Sequence, residues 1–163
     1  MIKRDNVRVC VPRYMQIGKG SLSQLPEILN IIGSVKSPLI VTDKQMVKFG
    51  YVKKLQEILL KAGLKSSVFD DTIPDPTDKV VLNGIDILKK NKNDAVIGFG
   101  GGSPIDTAKA IAVLSQYSKN IQDYKPPSTF DKKGLPIIAI PVSYTHLRAH
   151  ETRGNLVCRL LLE

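Results

Sequence analysis

The chain has 163 residues, of which 42% are hydrophobic and 24% charged, and its formal net charge is +9. This length and composition are typical of one soluble globular domain with a sizeable core. They exclude a membrane span and a signal peptide, because no apolar run is long enough. The basic residues are spread over predicted helix faces without interleaved aromatic residues, which argues against nucleic-acid binding. Cys10 and Cys158 have no disulfide or metal spacing, so we expect a cytoplasmic protein.

The first predicted elements are an edge hairpin and a helix. Apolar and polar residues alternate over 7–11, which predicts an edge strand that pairs with a second extended piece at 14–17. A helical stripe follows, and Ser23 is its predicted N-cap because Pro26 is tolerated only in a first turn. The stripe consists of Leu22, Leu25, Ile28, Leu29 and Ile32.

Four predicted strands then alternate with amphipathic helices. The short apolar runs at 39–42, 95–99 and 137–140 predict core strands, and residues 66–69 form a further predicted strand. The helix after the first run has an inward stripe that ends at Gly63, a residue suited to the C′ position. Its stripe is Val52, Leu55, Ile58, Leu59 and Ala62. A further helix over about 76–91 points Val81, Ile85 and Leu88 inward, and a polar loop covers about 120–134.

This alternation predicts an α/β fold with a doubly wound, mostly parallel, Rossmann-like sheet and an N-terminal edge hairpin. In such sheets a ligand binds at the carboxyl ends of the strands.

A glycine turn lies at one of those ends. Gly100, Gly101 and Gly102 follow the strand at 95–99 and let a ligand approach the backbone closely. Ser103 is the predicted N-cap of the next helix, with Pro104 at its first position and Asp106 completing a capping-box variant. The free N–H groups and the helix dipole then predict a phosphate site, although the motif is neither G-x-G-x-x-G nor a P-loop. The alternative is an ordinary strand-to-helix turn.

The same residues carry a family resemblance. Residues 100–109 (GGGSPIDTAK) resemble the nucleotide-binding motif of the iron-dependent (group III) alcohol dehydrogenases, and 39–44 (LIVTDK), 74–77 (PDPT) and 136–141 (PIIAIP) match in order. The resemblance covers about residues 7–142. It implies an NAD(P)-binding domain over 1–142, which a C-terminal helical domain would complete with an iron or zinc held by one aspartate and three histidines.

Three aspartates join the glycine turn as candidate cofactor ligands. Asp43 ends the first core strand, where a carboxylate binds ribose hydroxyls and repels a 2′-phosphate; a helix N-cap is its alternative role. Asp75 is either an N-cap before Pro76 or a cofactor contact, since the resemblance places it near the nicotinamide, where the family commonly has asparagine. The resemblance likewise places Asp106 beside the cofactor, and capping alone would also explain it.

The pattern departs from the family after Pro141. Residues 142–151 read VSYTHLRAHE, whereas the family usually continues TTAGTGSE, and residues 143–163 resemble a translated cloning adaptor. We therefore expect a non-native tail, an absent metal domain and an inactive fragment. His146 and His150 have the spacing of a zinc helix but lie in this tail, so no metal ligand and no catalytic residue is assigned.

The resemblance implies an oxidoreductase that interconverts a small alcohol and its carbonyl compound by hydride transfer, with NAD favoured over NADP. The expected partners are the nicotinamide cofactor, that substrate and, as an open option, further copies of the chain. The alternatives are a fragment of a glycerol dehydrogenase or dehydroquinate synthase, and a non-catalytic nucleotide- or phosphate-binding module.

Overall fold

The computed structural model describes residues 12, 14–117 and 133–142. The first strand of the predicted hairpin, nearly all of the predicted polar loop and the whole predicted tail lie outside these residues. The elements in chain order are α1 (Leu25–Gly33), β1 (Pro38–Val41), α2 (Lys44–Lys48), α3 (Tyr51–Lys61), β2 (Ser67–Phe69), α4 (Asp78–Lys90), β3 (Ala95–Gly100), α5 (Gly102–Leu114) and β4 (Ile137–Pro141).

The four strands form one parallel sheet in the order β2-β1-β3-β4. In its register Ile40 lies opposite Val68 on one side and Ile97 on the other. All residues of β1 and β3 are buried, as strands covered on both faces require. The predicted α/β class and parallel sheet are confirmed.

Side chains on the two faces of the sheet build two separate cores. Alternate strand residues such as Ile40 and Ile97 pack with α1, α2 and α3 on one face. Their neighbours Leu39 and Val96 pack with α4 and α5 on the other. The predicted inward stripes of α3 and α4 point into these cores, except that Ile58 is only half-buried and Ala62 is exposed. Gly63, with φ 78°, ends α3 in the predicted left-handed conformation.

The predicted start of α1 is wrong by one residue, because the N-cap is Gln24 rather than Ser23. A 3₁₀ turn covers Ser21–Gln24, and α1 begins at Leu25 with Pro26 in its first turn. Ser23 does not cap the helix, because its hydroxyl donates backwards to the carbonyl of Gly20 at 2.7 Å. None of the helices described has the length and apolar character needed to span a bilayer.

Candidate functional site

A cleft of about 400 Å³ opens at the carboxyl ends of the strands. Residues 43–45, 70–74 and 101–104, which follow β1, β2 and β3, line it. The strand order reverses between β1 and β3, because β2 lies on one side of β1 and β3 on the other. Such a switch point is where open α/β sheets bind ligands. The cleft therefore lies where the predicted topology places a ligand.

The glycine turn forms one wall of this cleft, and its helix begins earlier than predicted. Gly101 occupies the N-cap position and Gly102 the first helical position of α5, and within the described residues no side chain caps this end. The predicted cap at Ser103 is therefore wrong, because Ser103 already lies within the first turn. Asp106 completes no capping box; it is exposed and accepts from the Lys109 ammonium at 2.9 Å. The first N–H groups of α5 lie at the cleft without a side-chain acceptor, which leaves them available to an anion.

The four glycines around this turn have two different roles. A β-carbon on Gly98 would lie 2.9 Å from Cβ of Ala108, and one on Gly100, whose φ is 147°, 2.9 Å from Cγ of Pro104. These two positions require glycine for the fold itself. A β-carbon on Gly101 or Gly102 would meet nothing within 4 Å, and Gly101 has an ordinary φ of −77°. Neither the backbone nor the packing requires glycine at these two positions, and their missing side chains leave open space at the end of α5.

Asp43 caps one helix and also faces the glycine turn. Its Oδ1 accepts the N–H groups of Gln45 and Met46, each at 2.9 Å, so the alternative role as N-cap of α2 is present. Its Oδ2 lies 3.4 Å from where a β-carbon of Gly100 would stand and accepts no hydrogen bond from the described residues. Oδ2 is therefore free to accept a hydrogen bond from a ligand.

Residues 70–74, which follow β2, form another wall of the cleft, and the sequence analysis did not predict this wall. An antiparallel bridge joins Asp71 to Asp43, and the Thr72 hydroxyl donates to the carbonyl of Thr42 at 2.6 Å. The same two segments are also linked by an ion pair, in which the Lys44 ammonium lies 3.0 Å from Oδ1 of Asp71. The hydrogen bond and the charge of Asp71 raise the pKa of Lys44, with a smaller contribution from Asp70. The rule that ligands bind at the carboxyl ends of parallel strands could have pointed to this segment, because it follows the predicted strand at 66–69.

The cleft brings together four of the seven predicted site residues: Asp43, Gly101, Gly102 and Ser103. Gly100 lies directly behind them. Asp75 is exposed with φ 50°, next to the lining residue Pro74, and the N-cap of α4 is Thr77, so the interpretation of Asp75 as a cap is wrong. The described residues contain no group of three His, Cys, Asp or Glu side chains able to hold a metal ion. His146 and His150 lie outside them.

The parallel sheet, its switch point and the uncapped glycine turn define a Rossmann-like α/β domain. The chain belongs to the iron-containing alcohol dehydrogenase family, whose model matches residues 12–145. This confirms the resemblance inferred from the glycine motif.

Relatives and solved structures agree with this assignment. The chain is 35% identical over 130 residues to NAD-dependent methanol dehydrogenase of Bacillus methanolicus, covering 80% of this chain and 34% of that protein. It is also 35% identical over 128 residues to lactaldehyde reductase of Escherichia coli strain K12, covering 77% and 33%. A crystal structure of 1,3-propanediol oxidoreductase superposes with a TM-score of 0.76 at 30% identity, covering 81% of this chain and 34% of that one. The chain thus spans about a third of the length of the curated relatives it matches.

Proposed function

We propose that the cleft binds NAD(H), and that the protein is an NAD(P)-dependent alcohol dehydrogenase of which this domain is the cofactor-binding part. The observation that carries the proposal is the open space in front of Gly101 and Gly102. Glycine there has no use for the fold, whereas a pyrophosphate needs close access to the uncapped N–H groups of α5. The named relatives act on alcohols and aldehydes, which supports the same reaction class here.

Different cleft residues would bind different parts of the cofactor. The backbone N–H groups of Gly101, Gly102 and Ser103 would hold the pyrophosphate, helped by the positive end of α5. The free Oδ2 of Asp43 would accept a hydrogen bond from a ribose hydroxyl, and its charge would repel the 2′-phosphate of NADP. Gly100 would contribute by keeping the turn tight. Contacts from Asp75 and Asp106, both exposed beside the lining segments, stay predictions.

The metal chemistry is assigned to another part of the protein, since the described residues offer no ligand cluster. A metal bound there would polarise the alcohol oxygen while hydride passes to the nicotinamide. The proposal also includes a cytoplasmic location. The supporting observation is that Cys10 and Cys158 lack the spacing of a disulfide or metal motif.

Filling the turn tests the proposal. In Gly101→Val a branched side chain occupies the space assigned to the pyrophosphate, while the ordinary φ and open surroundings let the fold persist. We expect the variant to melt like wild type and to lose NADH binding. The chain contains no tryptophan, so the emission of the reduced nicotinamide can be titrated directly. The matched control is Gly33→Val, on the last residue of α1 and outside the cleft lining, which should bind NADH like wild type.

The alternative functions predict other ligands. A flavodoxin-like or phosphate-binding module would bind FMN or inorganic phosphate in preference to NADH, and competition titrations measure that order. If Gly101→Val binds NADH as tightly as wild type, the turn is structural and the proposal is wrong.

A further inference from the structure

One ion pair spans the cleft wall between two separate segments of the chain. Lys44 is the first residue of α2, directly after Asp43, and Asp71 follows β2. The bridge between Asp43 and Asp71 holds the two segments together, and the Lys44 ammonium reaches Oδ1 of Asp71 at 3.0 Å. All three side chains belong to residues that line the cleft. The pair therefore lies next to the carboxylate assigned to the ribose.

The charges along this wall are unequal. Asp43, Asp70 and Asp71 are acidic, and of the residues described along the cleft Lys44 is the only cation. The Lys44 ammonium is charged at neutral pH, as an ordinary lysine is, and the hydrogen bond to Asp71 raises its pKa further. A phosphate entering this side of the cleft would find its only cationic partner already engaged by a carboxylate.

The pair is exposed enough to exchange partners. Its side chains are 75% and 59% exposed, for Lys44 and Asp71 respectively. Exposed ion pairs of this kind contribute little to stability. An ammonium forms charge-assisted hydrogen bonds with carboxylate and phosphate oxygens alike, so the two compete for it. Lys44 would therefore transfer to a nearby phosphate if Asp71 did not compete for it.

We propose that Asp71 is a positioning residue for cofactor selection, which acts by holding the Lys44 ammonium away from the 2′-phosphate of NADP. This inference rests on the proposed binding of NAD(H) in the cleft. It adds a second determinant of NAD preference to the direct repulsion by Asp43. Asp71 would affect the choice between NAD and NADP by engaging Lys44, and not only through its own negative charge. A double-mutant cycle can separate these two contributions.

The test is a double-mutant cycle on the full chain, with NADH and NADPH titrated by their own fluorescence. Asp71→Asn keeps the side-chain shape and releases Lys44, so NADPH binding relative to NADH should improve about two- to fivefold, the range that an exposed pair can supply. Lys44→Gln should weaken NADPH relative to NADH. In the Lys44→Gln background, Asp71→Asn should change the ratio by less than half as much as it does alone.

The matched control is Asp70→Asn, which removes an equal charge from the same wall and leaves the ion pair in place. It should shift the ratio by less than Asp71→Asn does, and thermal melts should show all variants folded. Equal effects of Asp70→Asn and Asp71→Asn, or equal effects of Asp71→Asn with and without Lys44, would overturn the inference while NADH binding stands. If wild type binds neither NADH nor NADPH, the proposed function is wrong, and this inference fails with it.

Discussion

At the scale of single residues, the two carboxylate oxygens of Asp43 lie in different surroundings. Oδ1 takes two backbone N–H groups of α2, and Oδ2 faces the glycine turn without a partner among the described residues. The structural and the proposed functional roles therefore use different atoms of one side chain. A substitution can separate them only if it keeps an oxygen for the cap and removes the charge.

Asp43→Asn meets that condition. Its amide oxygen still accepts from Gln45 and Met46, so we expect the urea midpoint to stay near wild type, while NADPH binding improves relative to NADH. Asp43→Ala loses the cap as well and should cost about 1 kcal/mol in the free energy of unfolding. An unchanged ratio of NADH to NADPH affinity in Asp43→Asn would show that Asp43 is a helix cap alone.

At the scale of elements, α4 and α5 approach each other closely over Gly84. A β-carbon there would lie 2.2 Å from Cδ1 of Ile111 and 3.3 Å from Cε1 of Phe69. Both neighbours are fully buried side chains, so they have little room to move. The second core therefore requires glycine inside a helix, where glycine is otherwise unfavourable.

Gly84→Ala should destabilise the protein despite its better helix propensity. We expect a cost of about 1–3 kcal/mol from overpacking, against a gain of about 1 kcal/mol from propensity. In an Ile111→Val background the clashing Cδ1 is absent, so the cost should shrink. Asn83→Ala, at the exposed neighbouring position, is the control for propensity alone. Urea denaturation of the four variants measures these differences, and equal costs in both backgrounds would contradict the packing argument.

At the scale of the whole molecule, we propose that cofactor binding and metal chemistry use different residues. The described residues form a cleft at a switch point and contain no metal-ligand cluster. We therefore expect the 163-residue chain to bind NADH with the same affinity before and after treatment with EDTA. Added iron or zinc should leave the oxidation of small alcohols at background, since nothing described would polarise the substrate oxygen. Metal-dependent turnover would place a metal site in residues that the structure does not describe.

The sequence by itself determined the local elements and the family. Short apolar runs indicate buried strands, and apolar stripes of 3.6-residue period indicate helices. Both can therefore be predicted from the sequence without knowledge of contacts between distant segments. The glycine run with Ser103, Pro104 and Asp106 was specific enough to indicate the family. Helix starts were predicted less well: Ser23, Ser103 and Asp75 have good capping side chains, but caps depend on backbone angles that the sequence does not specify.

Only the tertiary structure decided which segments meet. The strand order β2-β1-β3-β4 brings Asp71 beside Lys44, 27 positions earlier in the chain, and no local pattern of either segment predicts that pairing. The same holds for the glycines, which look equivalent in sequence. Gly98 and Gly100 face packed atoms, whereas Gly101 and Gly102 face open space. The periodicity of apolar residues indicates which face of an element is buried. The atoms that pack against that face belong to other elements, and only the assembled sheet determines which elements those are.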